Sequence, residues 1–196
     1  MNDKVTALLL VGVGGQGTIL ASKILSEGLV DAGYDVKMSE IHGMSQRGGS
    51  VSTQIRYGAK VHSPIIGIGE ADVLVAFEKM EALRWTNYLK PGGSFIINDF
   101  EIPSVPILMG AATYPQGILK DLKSKASVLV LKAGDIARET GNEKAMNIVL
   151  LGAAVKALEA TDMALQGIDW VKIVREGVKP QFADLNATAF EKGYSL

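Results

Sequence analysis

The chain has 196 residues, 47% of them apolar, a formal net charge of −1 and no cysteine. Its length and composition predict a single folded domain, residues 1–196, with a substantial core, and they argue against disorder. Near-neutral charge offers no field for nucleic acid or an acidic membrane, and the missing cysteines exclude disulfides, thiolate metal sites, an iron–sulfur cluster held by this chain and a cysteine nucleophile.

The first element is the run VTALLLV at residues 5–11. It is too short to cross a membrane, which takes roughly 20 apolar residues, and it leads into glycines rather than a cleavage-like site. It predicts a central strand buried on both faces. Ala21, Ile24, Leu25, Gly28, Leu29 and Ala32 then recur at helical spacing, Gly33 stands where a helix would end, and YDVKM reads as a second strand. SVSTQIRYGAKVHS puts Val51, Thr53, Ile55 and Tyr57 on one side of a half-exposed strand, and Gly58 turns it back as an antiparallel hairpin. ADVLVAF is a further buried strand and EKMEALRWTNYL a helix; KPGG is a turn and SFIIND a strand. VPILMGAATY and SVLVLK read as strands flanking the short helix PQGILKDLKS. Met146, Val149, Leu150, Ala153, Ala154, Ala157 and Leu158 mark a helix with a small-residue face suited to close packing. IDWVKIVREGV and NATAFEKGYSL close the chain as short helices. The expected architecture is α/β: three layers, α/β/α, around a mostly parallel, mixed, Rossmann-like sheet that includes an antiparallel hairpin.

Two stretches carry the chemistry. Gly12, Gly14 and Gly17 form G-x-G-x-x-G between the first strand and the first helix. In that setting glycines let backbone approach a pyrophosphate, and the helix start offers free N–H groups. Gly15 belongs to the same loop, and Gln16 and Thr18 add hydrogen-bonding groups for a polar ligand. The plainer account is a tight turn with close helix packing. No G-K-[ST] follows, which excludes a nucleoside-triphosphate loop. Glu40 stands loosely where a nicotinamide-binding domain would place its ribose-binding acid.

The second stretch is EIHGMSQRGGS, residues 40–50, at the end of the second strand. Loops leaving the carboxyl ends of parallel strands line one crevice, so this stretch and the glycine loop should be neighbours. Arg47 could clamp a carboxylate or phosphate through its planar fork, with Gly48 and Gly49 turning backbone N–H groups to the same anion. His42 could exchange a proton near neutral pH, and Gly43 and Gln46 belong to the same unit. Against these stand plainer roles in turns, loop hydrogen bonds and ion pairs. His62 reads as exposed, and Trp85 and Trp170 as packing residues. With two histidines, no G-x-S-x-G and no H-E-x-x-H, the sequence offers no complete catalytic set and no metal site.

LLLVGVGGQG, SEIHGMSQRGG and NIVLLGAA occur together and in this order, and in this the chain resembles the small, gamma-type subunit or domain of the 2-oxoacid:ferredoxin oxidoreductases. The form H-G-M-x-Q-R-G-G is most similar to the indolepyruvate branch, whose small subunit is termed beta; pyruvate and 2-oxoglutarate relatives more often show Tyr-Gly-Pro before Arg-Gly-Gly. The resemblance covers essentially the whole chain. It implies a part in thiamine-diphosphate-dependent oxidative decarboxylation, in which a 2-oxoacid and coenzyme A give acyl-CoA, carbon dioxide and reduced ferredoxin. It also implies that thiamine diphosphate and the iron–sulfur clusters sit on a large partner subunit. Ferredoxin would be met only through that partner, and this chain would be inactive alone. Gly12, Gly14, Gly15, Gln16 and Gly17 would form one family loop, and His42, Gly43, Arg47, Gly48 and Gly49 the other, with no individual catalytic roles assigned.

Two other readings stay open: a pyruvate or 2-oxoglutarate oxidoreductase gamma subunit, and a stand-alone NAD(P)-binding protein using GVGGQG and Glu40. Expressed alone, the chain could form a homodimer through surface its partner would cover. No nucleic-acid or membrane partner is expected, and the location expected is the cytoplasm.

Overall fold

The computed structural model describes residues 4–43 and 48–196. Its centre is β1 (Thr6–Val13), buried at every position. Around it lie β2 (Asp35–His42), β3 (Ser50–Gly58), β4 (Ala71–Ala76), β5 (Leu89–Asn98) and β6 (Val128–Leu131), in the order β2-β3-β1-β4-β5-β6. β1, β4, β5 and β6 run parallel, and β3 runs antiparallel to both β1 and β2. β2 is therefore parallel to β1 with one reversed strand between them.

The side chains of β1 alternate between two cores, because successive residues of a strand face opposite ways. Leu8 and Leu10 join the core under α1 (Thr18–Asp31), α6 (Met146–Thr161), α7 (Trp170–Gly177) and α8 (Ala183–Tyr194). Ala7, Leu9 and Val11 join the core under α2 (Lys79–Trp85) and α4 (Ile118–Lys125). Two further short helices, α3 (Val105–Leu108) and α5 (Ala133–Glu139), flank β6 in sequence. This is the three-layer mixed-sheet architecture that the sequence predicts. Trp170 is buried in the first core, where its ring lies so close to α1 that a Cβ on Gly28 would stand 2.4 Å from it.

Four local expectations are corrected. The antiparallel partner of β3 is not a return run after Gly58; it is β2 on one side and β1 on the other. Residues 59–70 form no strand; they lie as a strap whose Ile66 enters the second core and donates its backbone N–H to Gln54 Oε1 at 2.6 Å. That strap, with two flanking strands, buries Ser52 and Gln54, so β3 is not half exposed. VPILMGAATY is no strand either: Pro106 sits in the first turn of the one-turn α3, and β5 already has β6 as its outer neighbour. KPGG belongs to β5 as a bulge, between the pairs Ala71–Leu89 and Val73–Ser94.

Candidate functional site

Because β1 and β2 are parallel, both glycine-rich stretches leave the same edge of the sheet. They touch there: the Gly14 N–H donates to the Gly49 carbonyl at 2.9 Å. Gly12 still belongs to β1, paired with Val51, while Gly14 and Gly15 make the turn and Gly17 is the N-cap of α1. Gly17 holds φ 82°, a left-handed conformation that favours glycine, and brings no side chain to cap the helix. The uncapped first turn of a 14-residue helix, with its partial positive charge, thus faces a cleft of about 440 Å³. The opposite wall is built from residues 40–42 of β2 and 51–53 of β3. Apolar Ile19, Ile41 and Val51 stand beside polar Thr18, Ser52 and Thr53, a mixture suited to a ligand with an anionic part and an apolar part.

Glu40 and His42 lie on β2 itself rather than on a loop, and both are exposed at the cleft. Among the described residues the His42 ring reaches only the neighbouring Gly43 carbonyl, with Nδ1 at 3.4 Å. Gly48 and Gly49 lead into β3, and Gly48 has φ 77°. Gln46 and Arg47 lie outside the described residues.

The register bears on the nicotinamide reading. Glu40 pairs with Thr53, which pairs with Leu10, so Glu40 is level with Leu10, below the end of β1 at Val13. It is also two strand spacings from β1, about 10 Å, with β3 between. In a dinucleotide-binding fold the second strand is the direct neighbour of the first. The inserted β3 takes Glu40 away from the place a ribose would need.

Gln16 has a different role from the one expected. Its Oε1 accepts from the Val13 N–H at 2.8 Å and its Nε2 donates to the Phe77 carbonyl at 3.0 Å, leaving the side chain buried. The same carbonyl accepts from Asn98 Nδ2 at 3.1 Å, and Asn98 Oδ1 accepts from the Ala133 N–H at 2.9 Å. The Gln16 amide thus bridges the ends of β1 and β4, where α1 and α2 depart to opposite faces and ligands commonly bind in such sheets, while Asn98 ties the end of β5 to its two neighbours. The open cleft lies instead on the β3–β2 side.

Several residues at this edge escaped the sequence reading. Asn147, the first residue of NIVLLGAA, donates from Nδ2 to the Gly17 carbonyl at 3.1 Å, so the third family motif meets the first. A Cβ on Gly17 would stand 2.6 Å from that same nitrogen. Beyond β4 come two buried carboxylates. Glu78, the N-cap of α2, accepts from the Glu81 N–H at 2.5 Å and from the Tyr114 hydroxyl at 2.8 Å. Burial pushes the Glu78 carboxyl above its ordinary range, while the bonds from Tyr114 and nearby backbone amides pull it back down. Glu81 accepts from the Ser50 hydroxyl at 2.5 Å, Arg84 Nε at 3.1 Å and Trp85 Nε1 at 3.2 Å. The spacing Glu-x-x-Glu directly after a buried strand was the available signal, since it is the pattern of a helix cap and its N3 partner. Among the described residues no group of three or more histidine, cysteine, aspartate or glutamate side chains could hold a metal ion. No helix among them is long and apolar enough to cross a membrane.

Comparison with known proteins extends these observations. The indolepyruvate oxidoreductase subunit IorB of Pyrococcus horikoshii is 38% identical over 192 residues, covering 95% of this chain and 93% of that protein. The pyruvate oxidoreductase subunit PORC of Thermotoga maritima shares the fold with a TM-score of 0.72 at 21% identity, covering 98% of this chain and 96% of its own. The 2-oxoglutarate:ferredoxin oxidoreductase of Magnetococcus marinus, solved with 2-oxoglutarate, coenzyme A and succinyl-CoA, matches with a TM-score of 0.69 at 19% identity. That match covers 99% of this chain but only 31% of the larger one, so the same fold occurs there as one part of a longer polypeptide. The family model for pyruvate ferredoxin/flavodoxin oxidoreductase matches residues 7–196, and with both glycine motifs meeting at one sheet edge the chain belongs to that family.

Proposed function

We propose that this chain, as one domain over residues 1–196, is the small subunit of a thiamine-diphosphate-dependent 2-oxoacid:ferredoxin oxidoreductase whose oxoacid is indolepyruvate or a related aryl pyruvate. The observation that carries the reading is the likeness to an indolepyruvate oxidoreductase subunit over 95% of the chain. Clusters held by cysteine need another subunit, since this chain has no cysteine. In this reading thiamine diphosphate and the clusters belong to a large partner, through which ferredoxin is reduced. The cleft between the two loops takes an anionic part of coenzyme A or of the oxoacid, with Arg47 as its clamp. Phe100, Val105, Leu108 and Met109 are between 41% and 79% exposed, and they follow β5 at the edge that carries both loops. An exposed apolar patch of this kind suits a partner's face. A cysteine-free chain also fits the cytoplasm.

The test is co-expression with a large subunit bearing thiamine- and cluster-binding motifs, followed by ferredoxin reduction with indolepyruvate, pyruvate and 2-oxoglutarate in turn. The expected result is turnover only in the complex and fastest with indolepyruvate. Arg47→Ala should leave the complex assembled and raise the KM of an anionic substrate by about tenfold or more, as loss of a charge-assisted clamp requires. Saturable binding of NADH to the isolated chain, or failure to associate with any such partner, would overturn the reading.

A further inference from the structure

Residues 102–119 include no charged side chain, in a chain of which 21% is charged. None of residues 102–113 is buried, and Val105, Leu108 and Met109 among them are well exposed. The single turn of α3 closes on itself, with the Leu108 N–H donating to the Ser104 carbonyl and the Met109 N–H to that of Val105, both at 3.0 Å. A loop that buries nothing and pairs no charge is ordinarily mobile. This one is gripped at both ends, and both grips fall on the start of α2.

At the near end, the Lys79 N–H donates to the Phe100 carbonyl at 3.0 Å, and Lys79 Nζ lies 3.1 Å from Asp99 and 2.6 Å from Glu101. At the far end, the Tyr114 hydroxyl donates to Glu78 Oε2 at 2.8 Å and accepts from the Met80 N–H at 3.0 Å. Three consecutive residues, Glu78, Lys79 and Met80, thus hold the two ends of one loop together. The bond to Tyr114 is not needed to cap α2, because Glu78 does that through its other oxygen, Oε1, on the Glu81 N–H. What the bond does fix is the return of the loop. Glu78 is fully buried, and leaving its oxygen without a donor would carry the desolvation cost of that group, which makes the anchor a strong one.

We propose that residues 102–113 form a preset docking arm that seats on an apolar, uncharged face of the large subunit, and that Tyr114, held by Glu78, is the latch that presets it. This rests on the reading of the chain as a small subunit. The arm has no charge to offer, so a charged face placed against it would lose its water and gain no partner. The arm follows β5 at the carboxyl edge of the parallel strands, the edge that carries both glycine loops, so a subunit seated there also faces the cleft. A latched arm need not be ordered at the moment of binding, and association is tighter by that cost.

The test compares two tyrosine variants. Tyr114→Phe keeps the ring and removes the hydroxyl. In the free chain it should speed chymotryptic cleavage after Leu108 about tenfold, and it should raise the dissociation constant for the large subunit about tenfold, because the latched arm is no longer the dominant form. Tyr34→Phe is the control: it removes a hydroxyl that donates to Asp162 Oδ2 at 2.9 Å beside the other core. It loses a similar tyrosine–carboxylate bond without touching the arm, and both readouts should stay within about twofold of wild type. Unchanged cleavage in Tyr114→Phe overturns the proposal, as does faster cleavage with an unchanged dissociation constant. Equal weakening by Tyr34→Phe would reduce Tyr114 to a general share in stability and overturn it too. A free chain that is dimeric and becomes monomeric in Leu108→Asp would seat a second copy on the arm. That result overturns the docking arm but leaves the small-subunit reading standing wherever ferredoxin reduction still needs the large subunit. If the wild-type chain associates with no large subunit, the small-subunit reading has itself failed, and the arm goes with it.

Discussion

Glu78 shows how a single buried group ties stability to pH. Burial raises its folded pKa above the ordinary 4.5, so the folded protein holds that proton more tightly than the unfolded chain does. Its contribution to stability is fully present below the unfolded value and is lost as pH rises through the folded one. Glu78→Gln removes the titration while keeping an acceptor for the Glu81 N–H. The variant should therefore be least stable relative to wild type near about pH 4.5 and gain on it toward about pH 7, as thermal melts across that range would report. A gap that widens with rising pH would contradict the sign. The same scale shows why some residues were misjudged from sequence. Gln16 looks like a ligand group because it stands in a glycine loop, but its amide is taken up by Val13 and Phe77. The second of those partners is 61 residues away, and no local pattern announces it. His42 and Glu40 are placed at the cleft, while the burial of Glu78 and Glu81 depends on packing against elements distant in sequence.

At the scale of elements, hydrophobic period was enough to locate β1, α1, β4 and α6, because each either fills a layer or presents an unambiguous face. It failed where an element's fate rests on its neighbour. The strand after Gly49 forms as expected, but which strands flank it is a long-range matter, and an apolar run such as VPILMGAATY finds both sides of the preceding strand β5 already taken, by β4 and β6. The small-residue face of α6 is explained by its crossing with α8. A Cβ on Gly193 would stand 1.9 Å from the Val149 carbonyl oxygen, and one on Gly152 would stand 2.2 Å from that of Phe190. Backbone on both sides leaves nothing to rotate aside. Gly193→Ala should therefore lower stability by at least about 1–3 kcal/mol, the usual cost of overpacking, read as a fall in the urea midpoint without change in m. An unchanged midpoint would mean that the two helices can separate freely.

For the whole molecule, the question is which surface a partner covers. Leu108 and Met109 are 72% and 79% exposed on the segment following β5, at the edge that bears the cleft. If a large subunit completes the site there, Leu108→Asp with Met109→Asp should abolish co-purification with it, while the melting temperature of the free chain shifts little. Both residues are nearly fully exposed already, and exposed substitutions usually stay within about 0.5 kcal/mol. Retained association would place the partner elsewhere. By itself the sequence determined the layer architecture, the two glycine motifs and the lack of any cysteine to hold a cluster in this chain, since these follow from composition, short periods and residue types. Only the tertiary structure decided that β3 stands between β1 and β2, that Gln16 bridges the ends of β1 and β4, and that Glu81 reaches Ser50. Each of those joins residues far apart in the chain, and only packing and hydrogen-bond satisfaction in the folded molecule choose among such pairings.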